Sequence, residues 1–125
     1  MVYPVTDLSS FATPSYVEFA EGYELTKKEM EWFRDHYLSS MDDAQNPHAS
    51  PLLARDLSGL PPALIITAEC DPLRDEGEAY AQRLQDAGVP VTLTRYAGMI
   101  HPFFSLSGVI PQAFDALQQV ATAIR

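Results

Sequence analysis

Residues 63–68 read Ala-Leu-Ile-Ile-Thr-Ala, an apolar run without polar alternation. A strand wetted on one face alternates, so an unbroken run predicts a strand covered on both faces, as in a parallel sheet. A helical pattern follows. Asp75 and Glu76 suit a first turn, Tyr80, Leu84 and Ala87 share one face, and Gly88 provides the stop. Residues 91–96 return to β-branched and aromatic side chains and predict another strand. Pro111 suits the first turn of a last helix, with Phe114, Leu117, Val120, Ala121 and Ile124 as its apolar face.

Upstream, residues 2–5 form a short apolar stub that reads as strand. Thr26 and Glu29 match a capping box, with Leu25 and Met30 at the staple positions. Met30, Phe33 and Tyr37 continue at helical spacing until the pattern fades near Ser39. Residues 7–23 are irregular and carry Phe11, Tyr16, Phe19 and Tyr23, which taken alone read as ordinary packing. Residues 46–62 are a loop broken by Pro47, Pro51, Pro61 and Pro62. The order strand, helix, strand, helix, strand, helix predicts an α/β fold of about three parallel strands with right-handed crossovers.

Composition narrows the partners. A chain of 125 residues has the size of one domain, and we read 1–125 as a single domain. Its 17 acids against 8 bases give a formal charge of −9, which argues against nucleic acid and anionic membranes as partners. The acidic excess reads as a solvated surface. No apolar run approaches the ~18 residues of a membrane span. No basic-then-apolar leader is visible at Met1. The single Cys70 forms no internal disulfide and fits a reducing compartment, so the expected location is cytoplasmic. Three scattered histidines and one cysteine do not make a metal site, and no cofactor is expected.

Two residues then stand out. Asp71 follows the first buried strand, in Glu69-Cys70-Asp71-Pro72-Leu73-Arg74-Asp75-Glu76, and His101 follows the next, in Gly98-Met99-Ile100-His101-Pro102-Phe103. Sites in parallel sheets lie beyond the carboxyl ends of the strands, so both residues should project from one edge. A carboxylate there can accept a bond from imidazole Nδ1–H, fix the tautomer and leave Nε2 as a general base. Glu69 is read as strand end, and Asp75 and Glu76 as helix start. Gly98 permits the sharp loop that presents the histidine. His36 is read as surface or packing, and His48 as structural. No Gly-x-Ser-x-Gly occurs. Ser50, Ser105 and Ser107 do not lie on a strand-to-helix elbow. Losing one oxyanion-hole donor alone costs ~10²–10³ in rate, so a chance Ser–His contact does not make a nucleophile.

At these residues the chain resembles the C-terminal part of bacterial esterases of the hormone-sensitive-lipase family, in the α/β-hydrolase superfamily. Asp71-Pro72-Leu73-Arg74-Asp75-Glu76 resembles the family's acid motif, and Ile100-His101-Pro102-Phe103 its histidine loop. Tyr3-Pro4 followed by Asp7 resembles the strand after the nucleophile helix. Asn46-Pro47 with Ser50-Pro51-Leu52 resembles the loop before the acid strand. The resemblance implies a partial α/β-hydrolase domain, the last three strands of an eight-stranded sheet. It implies Asp71 and His101 as the acid and base of a Ser-His-Asp triad, small acyl esters as substrate, and residues 7–23 as an acyl-pocket lining. The chain departs from the family at Pro102, where glycine is usual. It also lacks the His-Gly-Gly-Gly oxyanion loop and the Gly-Asp-Ser-Ala-Gly elbow.

Three uses are compatible with half a site: a carboxylesterase fragment, one chain of a split esterase, or a non-catalytic α/β module that self-associates. The missing half is expected to leave Asp71 and His101 more exposed than in a whole enzyme and to uncover the edge at residues 2–5 and the face of Met30, Phe33 and Tyr37. A homodimer or a complementing N-terminal half is the expected partner.

Overall fold

The computed structural model describes residues 1–124. In chain order its elements are α1 (Pro14–Glu18), α2 (Lys27–Tyr37), β1 (Ala63–Cys70), α3 (Arg74–Asp86), β2 (Val91–Ile100) and α4 (Pro111–Ala123). β1 and β2 pair in parallel. On the other edge of β1, Val2 forms a parallel bridge with Ile66. Tyr3 N–H donates to Ile66 O at 2.7 Å, and Ile66 N–H donates to Met1 O at 3.0 Å. The stub therefore supplies one bridged residue instead of a strand. Tyr3 turns the chain away with φ +32°, and Pro4 has no N–H to continue the ladder.

The apolar run is explained by its place between two layers. Ile65 and Ile66 are adjacent, so they point to opposite faces. Ile65 packs with Leu57, Tyr80, Ala81, Leu84 and Val89 beneath α3. Ile66 and Ala68 pack with Phe103, Ala113 and Ala116 beneath α4. A third cluster joins Leu8, Phe11, Tyr16, Met30, Ala44 and Leu73 and anchors the irregular N-terminal region. Phe11, Tyr16 and Phe19 are buried there, while Tyr23 and much of the intervening chain are exposed.

Local signals set the helix ends. Thr26 Oγ1 accepts from Glu29 N–H at 3.1 Å, and Glu29 Oε2 accepts from Thr26 N–H at 2.8 Å. Both halves of the capping box are thus made, and Leu25 packs on the cluster that contains Met30. Met30 is buried, whereas Phe33 and Tyr37 are 50% and 69% exposed. Those two rings line a cleft of about 510 Å³ with Val5, Leu8 and Arg34, away from Asp71 and His101. Gly88, with φ +81°, follows the end of α3.

α4 departs from the expected face. Ala113 and Ala116 are its fully buried residues, while Phe114 is 54% and Ile124 80% exposed. Small side chains let the helix approach Ile66 and Phe103, and much of the larger apolar stripe turns outward. Among the described residues no helix is long and apolar enough to cross a membrane.

Glu76 in the first turn of α3 ties the N-terminal region to the sheet. Its Oε1 accepts from Thr6 N–H at 2.6 Å and from Asp7 N–H at 3.2 Å, and Thr6 Oγ1 donates to Glu76 O at 2.9 Å. Oε2 is buried without a partner, as is Tyr16 Oη. Burial outweighs the two N–H donors and pushes the Glu76 carboxyl up from 4.5 to about 7. The folded chain then binds more protons than the unfolded chain between those values, so stability falls as pH rises from about 4.5 through 7. Glu76→Gln, which mimics the protonated acid, should remove this slope. In urea unfolding at a series of pH values, wild type should lose up to about 3 kcal/mol relative to the variant between pH 4.5 and 8. Parallel pH profiles would contradict the assignment.

Candidate active site

The pairing between β1 and β2 decides where the histidine falls. Partners run from Ala63 with Val91 to Ala68 with Tyr96, then resume as Cys70 with Ile100. β2 thus accommodates two extra residues in a bulge. Continuing the earlier register would set His101 beyond Asp71; the shift sets the two side by side. Gly98 lies within this bulge at φ +70°, a left-handed value that a glycine adopts without steric cost. Glu69 Oε2 accepts from Gly98 N–H at 2.6 Å and ties the bulge to the end of β1.

Asp71 caps the turn into α3. Its Oδ1 accepts from Leu73 N–H at 2.9 Å, and its carbonyl accepts from Arg74 N–H at 3.1 Å. Its Oδ2 lies 3.0 Å from His101 Nδ1. Both carboxylate oxygens are occupied, and the side chain is fully buried while His101 keeps 21% of its surface. The greater exposure expected without the missing half does not reach Asp71. The reason is the chain's own N-terminal region. Ser15 Oγ donates to Pro72 O at 2.7 Å, and Ser15 N–H donates to Asp75 Oδ2 at 2.8 Å. Arg74 adds bonds to Glu69 O at 3.0 Å and Asp75 Oδ1 at 2.9 Å.

Asp71 accepts from Nδ1 when that nitrogen carries the proton, which leaves Nε2 with a free lone pair. Nε2 makes no hydrogen bond to the described residues. The pair can therefore take a proton from a hydroxyl placed at Nε2 and stabilise the resulting imidazolium. Pro102 leaves this geometry intact; the His101–Pro102 peptide is cis. The Tyr3 ring lies against the imidazole, with centroids 4.1 Å apart.

The other polar residues have structural partners. Ser50 Oγ donates to Ala44 O at 2.7 Å and accepts from Leu8 N–H at 2.8 Å. His36 Nδ1 lies 2.8 Å from Trp32 O, with its ring stacked on Trp32. His48 lines the cleft beside α2. Glu69 and Tyr3 are the residues that sequence reasoning missed. Glu69 meets Gly98 only through a register shift that the sequence does not display, and Tyr3 carries no spacing signal.

The family model described as the alpha/beta hydrolase fold matches residues 1–105. An ethyl acetate hydrolase of Pseudomonas putida is 41% identical over 125 residues, all of this chain and 39% of that protein. The carboxylic ester hydrolase LipN of Mycobacterium tuberculosis is 47% identical over 107 residues, 85% of this chain and 28% of that protein. Among solved structures, a hyperthermophilic esterase from Pyrobaculum calidifontis superposes with a TM-score of 0.94 at 45% identity, covering 98% of this chain and 41% of its own. A thermostable esterase from Pseudomonas putida gives 0.89 at 49% identity, covering 94% and 38%. The chain spans about two-fifths or less of the length of these relatives.

The bulge supplies its own test. A Cβ at Gly98 would meet nothing within 4 Å, so Gly98→Ala should act through the backbone alone. A non-glycine residue in the left-handed region costs about 1–2 kcal/mol. Urea unfolding should show a loss of that size, and the Nδ1–H proton of His101 should exchange faster in NMR. An unchanged unfolding midpoint would mean that the bulge is not under conformational constraint.

Proposed function

This chain belongs to the α/β-hydrolase family, in its hormone-sensitive-lipase branch, and we propose that it supplies the acid and the base of a serine carboxylesterase. The observation that carries the reading is the 3.0 Å contact of His101 Nδ1 with a fully buried Asp71 carboxylate, with Nε2 left open. Its relatives are carboxylic ester hydrolases. In the proposed reaction a serine hydroxyl from outside these 125 residues gives its proton to His101 Nε2 as its oxygen attacks the acyl carbon. Asp71 holds the tautomer and stabilises the imidazolium. His101 returns the proton to the leaving alkoxide, and water repeats the cycle on the acyl-enzyme. The oxyanion donors must come with the serine, since the sequence has no elbow motif. Small acyl esters are the proposed substrates, and 1–125 acts as a single partial domain.

The test separates the chain from its complement. The purified chain should hydrolyse short-chain p-nitrophenyl esters no faster than its His101→Ala variant. Adding the remaining N-terminal part of a relative, with elbow and oxyanion loop, should restore turnover. Asp71→Asn in the restored complex should then cost ~10⁴ in kcat. A drop of less than tenfold would identify another residue as the acid, and a serine of this chain acylated during turnover would contradict the division of roles.

The open surfaces support a partner. Phe33, Tyr37, Phe114 and Ile124 are exposed, and the stub beside β1 has one bridged residue. Uncovered apolar patches and strand edges favour association. In the absence of a complementing half we propose a symmetric homodimer, with helix contacts contributing more than ladder bonds because Pro4 has no N–H. Light scattering at micromolar concentration should report twice the 13.9 kDa of one chain. A concentration-independent monomer would rule this out.

A further inference from the structure

Tyr3 holds a backbone conformation that tyrosine does not favour. Its φ is +32°, in the left-handed region where a side chain crowds the following carbonyl. The backbone on both sides is fixed. Val2 bridges Ile66, Tyr3 N–H donates to Ile66 O, and Thr6 and Asp7 N–H are bound by Glu76. Strain retained at a non-glycine residue within such fixed surroundings points to a use for its side chain.

That side chain meets His101. The two ring centroids are 4.1 Å apart and the planes are inclined by 51°. The tyrosine ring also presents an edge contact to Phe103, at 6.2 Å and 63°, and Phe103 is fully buried. Its hydroxyl neighbours Ser105, which opposes the upward push of burial on the phenol. Tyr3 therefore touches the histidine and the turn that follows it.

We propose that Tyr3 is a positioning residue for His101, its ring blocking rotation of the imidazole out of line with Asp71. A single hydrogen bond leaves the imidazole able to turn about its Cα–Cβ and Cβ–Cγ bonds, out of line with Asp71. The tilted tyrosine ring, 4.1 Å away between centroids, occupies space that such a turn would enter. The route of the constraint is specific. Tyr3 is hydrogen-bonded to the middle of β1, and Asp71 follows the end of the same strand. Both the carboxylate and the ring that stops the imidazole are thus placed from β1, while the histidine itself arrives from β2. This inference rests on the proposed acid–base reading for its relevance to turnover.

The test needs no turnover, so it stands or falls apart from the esterase reading. Two-bond ¹H–¹⁵N correlation spectra of the full 125-residue chain, with the imidazole neutral, report the tautomer of His101. Wild type and Tyr3→Phe should show one Nδ1–H tautomer, with ring protons displaced upfield by the adjacent aromatic ring. Tyr3→Gly removes the ring and relieves the left-handed strain; Tyr3→Leu keeps bulk without an aromatic face. Folded Tyr3→Gly should show a mixture of tautomers, and both variants should lose the upfield displacement. Retention of the single Nδ1–H tautomer in Tyr3→Gly, with a native amide spectrum, would overturn the proposal. So would the absence of ring-current displacement in wild type, which needs no variant to fold. Failure of the esterase reading would appear separately, as no turnover on complementation with these spectra unaltered.

Discussion

A carboxylate taken wholly out of water must have its oxygens answered by donors, or its ionised form becomes untenable. At Asp71 the two answers are a backbone N–H, from Leu73, and an imidazole, from His101. The first comes from the turn that begins α3, the second from the end of a different strand. Much else in the fold follows from bringing that second donor into place. β2 carries its bulge where the register must change, Glu69 fastens the bulge, and Ser15 closes over the acid loop from the N-terminal side.

The turn into α3 and the first turn of that helix show a contrast between two buried carboxyls. Asp71 has a donor for each oxygen. Glu76, five residues on, has two N–H donors on one oxygen and none on the other. Burial therefore raises the Glu76 pKa to about 7. One acid is arranged as part of an acid–histidine pair. The other closes the N-terminal segment against α3 and is most stable there when protonated.

The layers and the pair were legible because their causes are local. Residues 63–68 announce double-sided burial by the absence of alternation, Thr26 and Glu29 announce a helix start, and Asp71 and His101 stand in motifs at strand ends. What was not legible depends on partners distant in sequence. Gly98 signals flexibility, yet the two-residue change of register appears only when β2 is laid beside β1. The apolar pattern of α4 marked a helix correctly but misjudged its contact, because small Ala113 and Ala116 permit the closer approach. Glu76 looked like a first-turn acid, and nothing nearby disclosed that Thr6 and Asp7 would return to it.

The seat of Ser15 carries a further consequence. Its bonds to Pro72 and Asp75, like those of Thr6 to Glu76, join residues 57 to 70 positions apart. None of these bonds is local, so the stretch from Thr6 to Ser15 and the acid loop it is bonded to form one unit for local opening. Detachment of that unit admits water to Asp71, and the charged acid then has a solvation alternative to the imidazole. The hydrogen bond at the head of the sheet is thus only as persistent as the closure of a segment that contributes neither of its atoms.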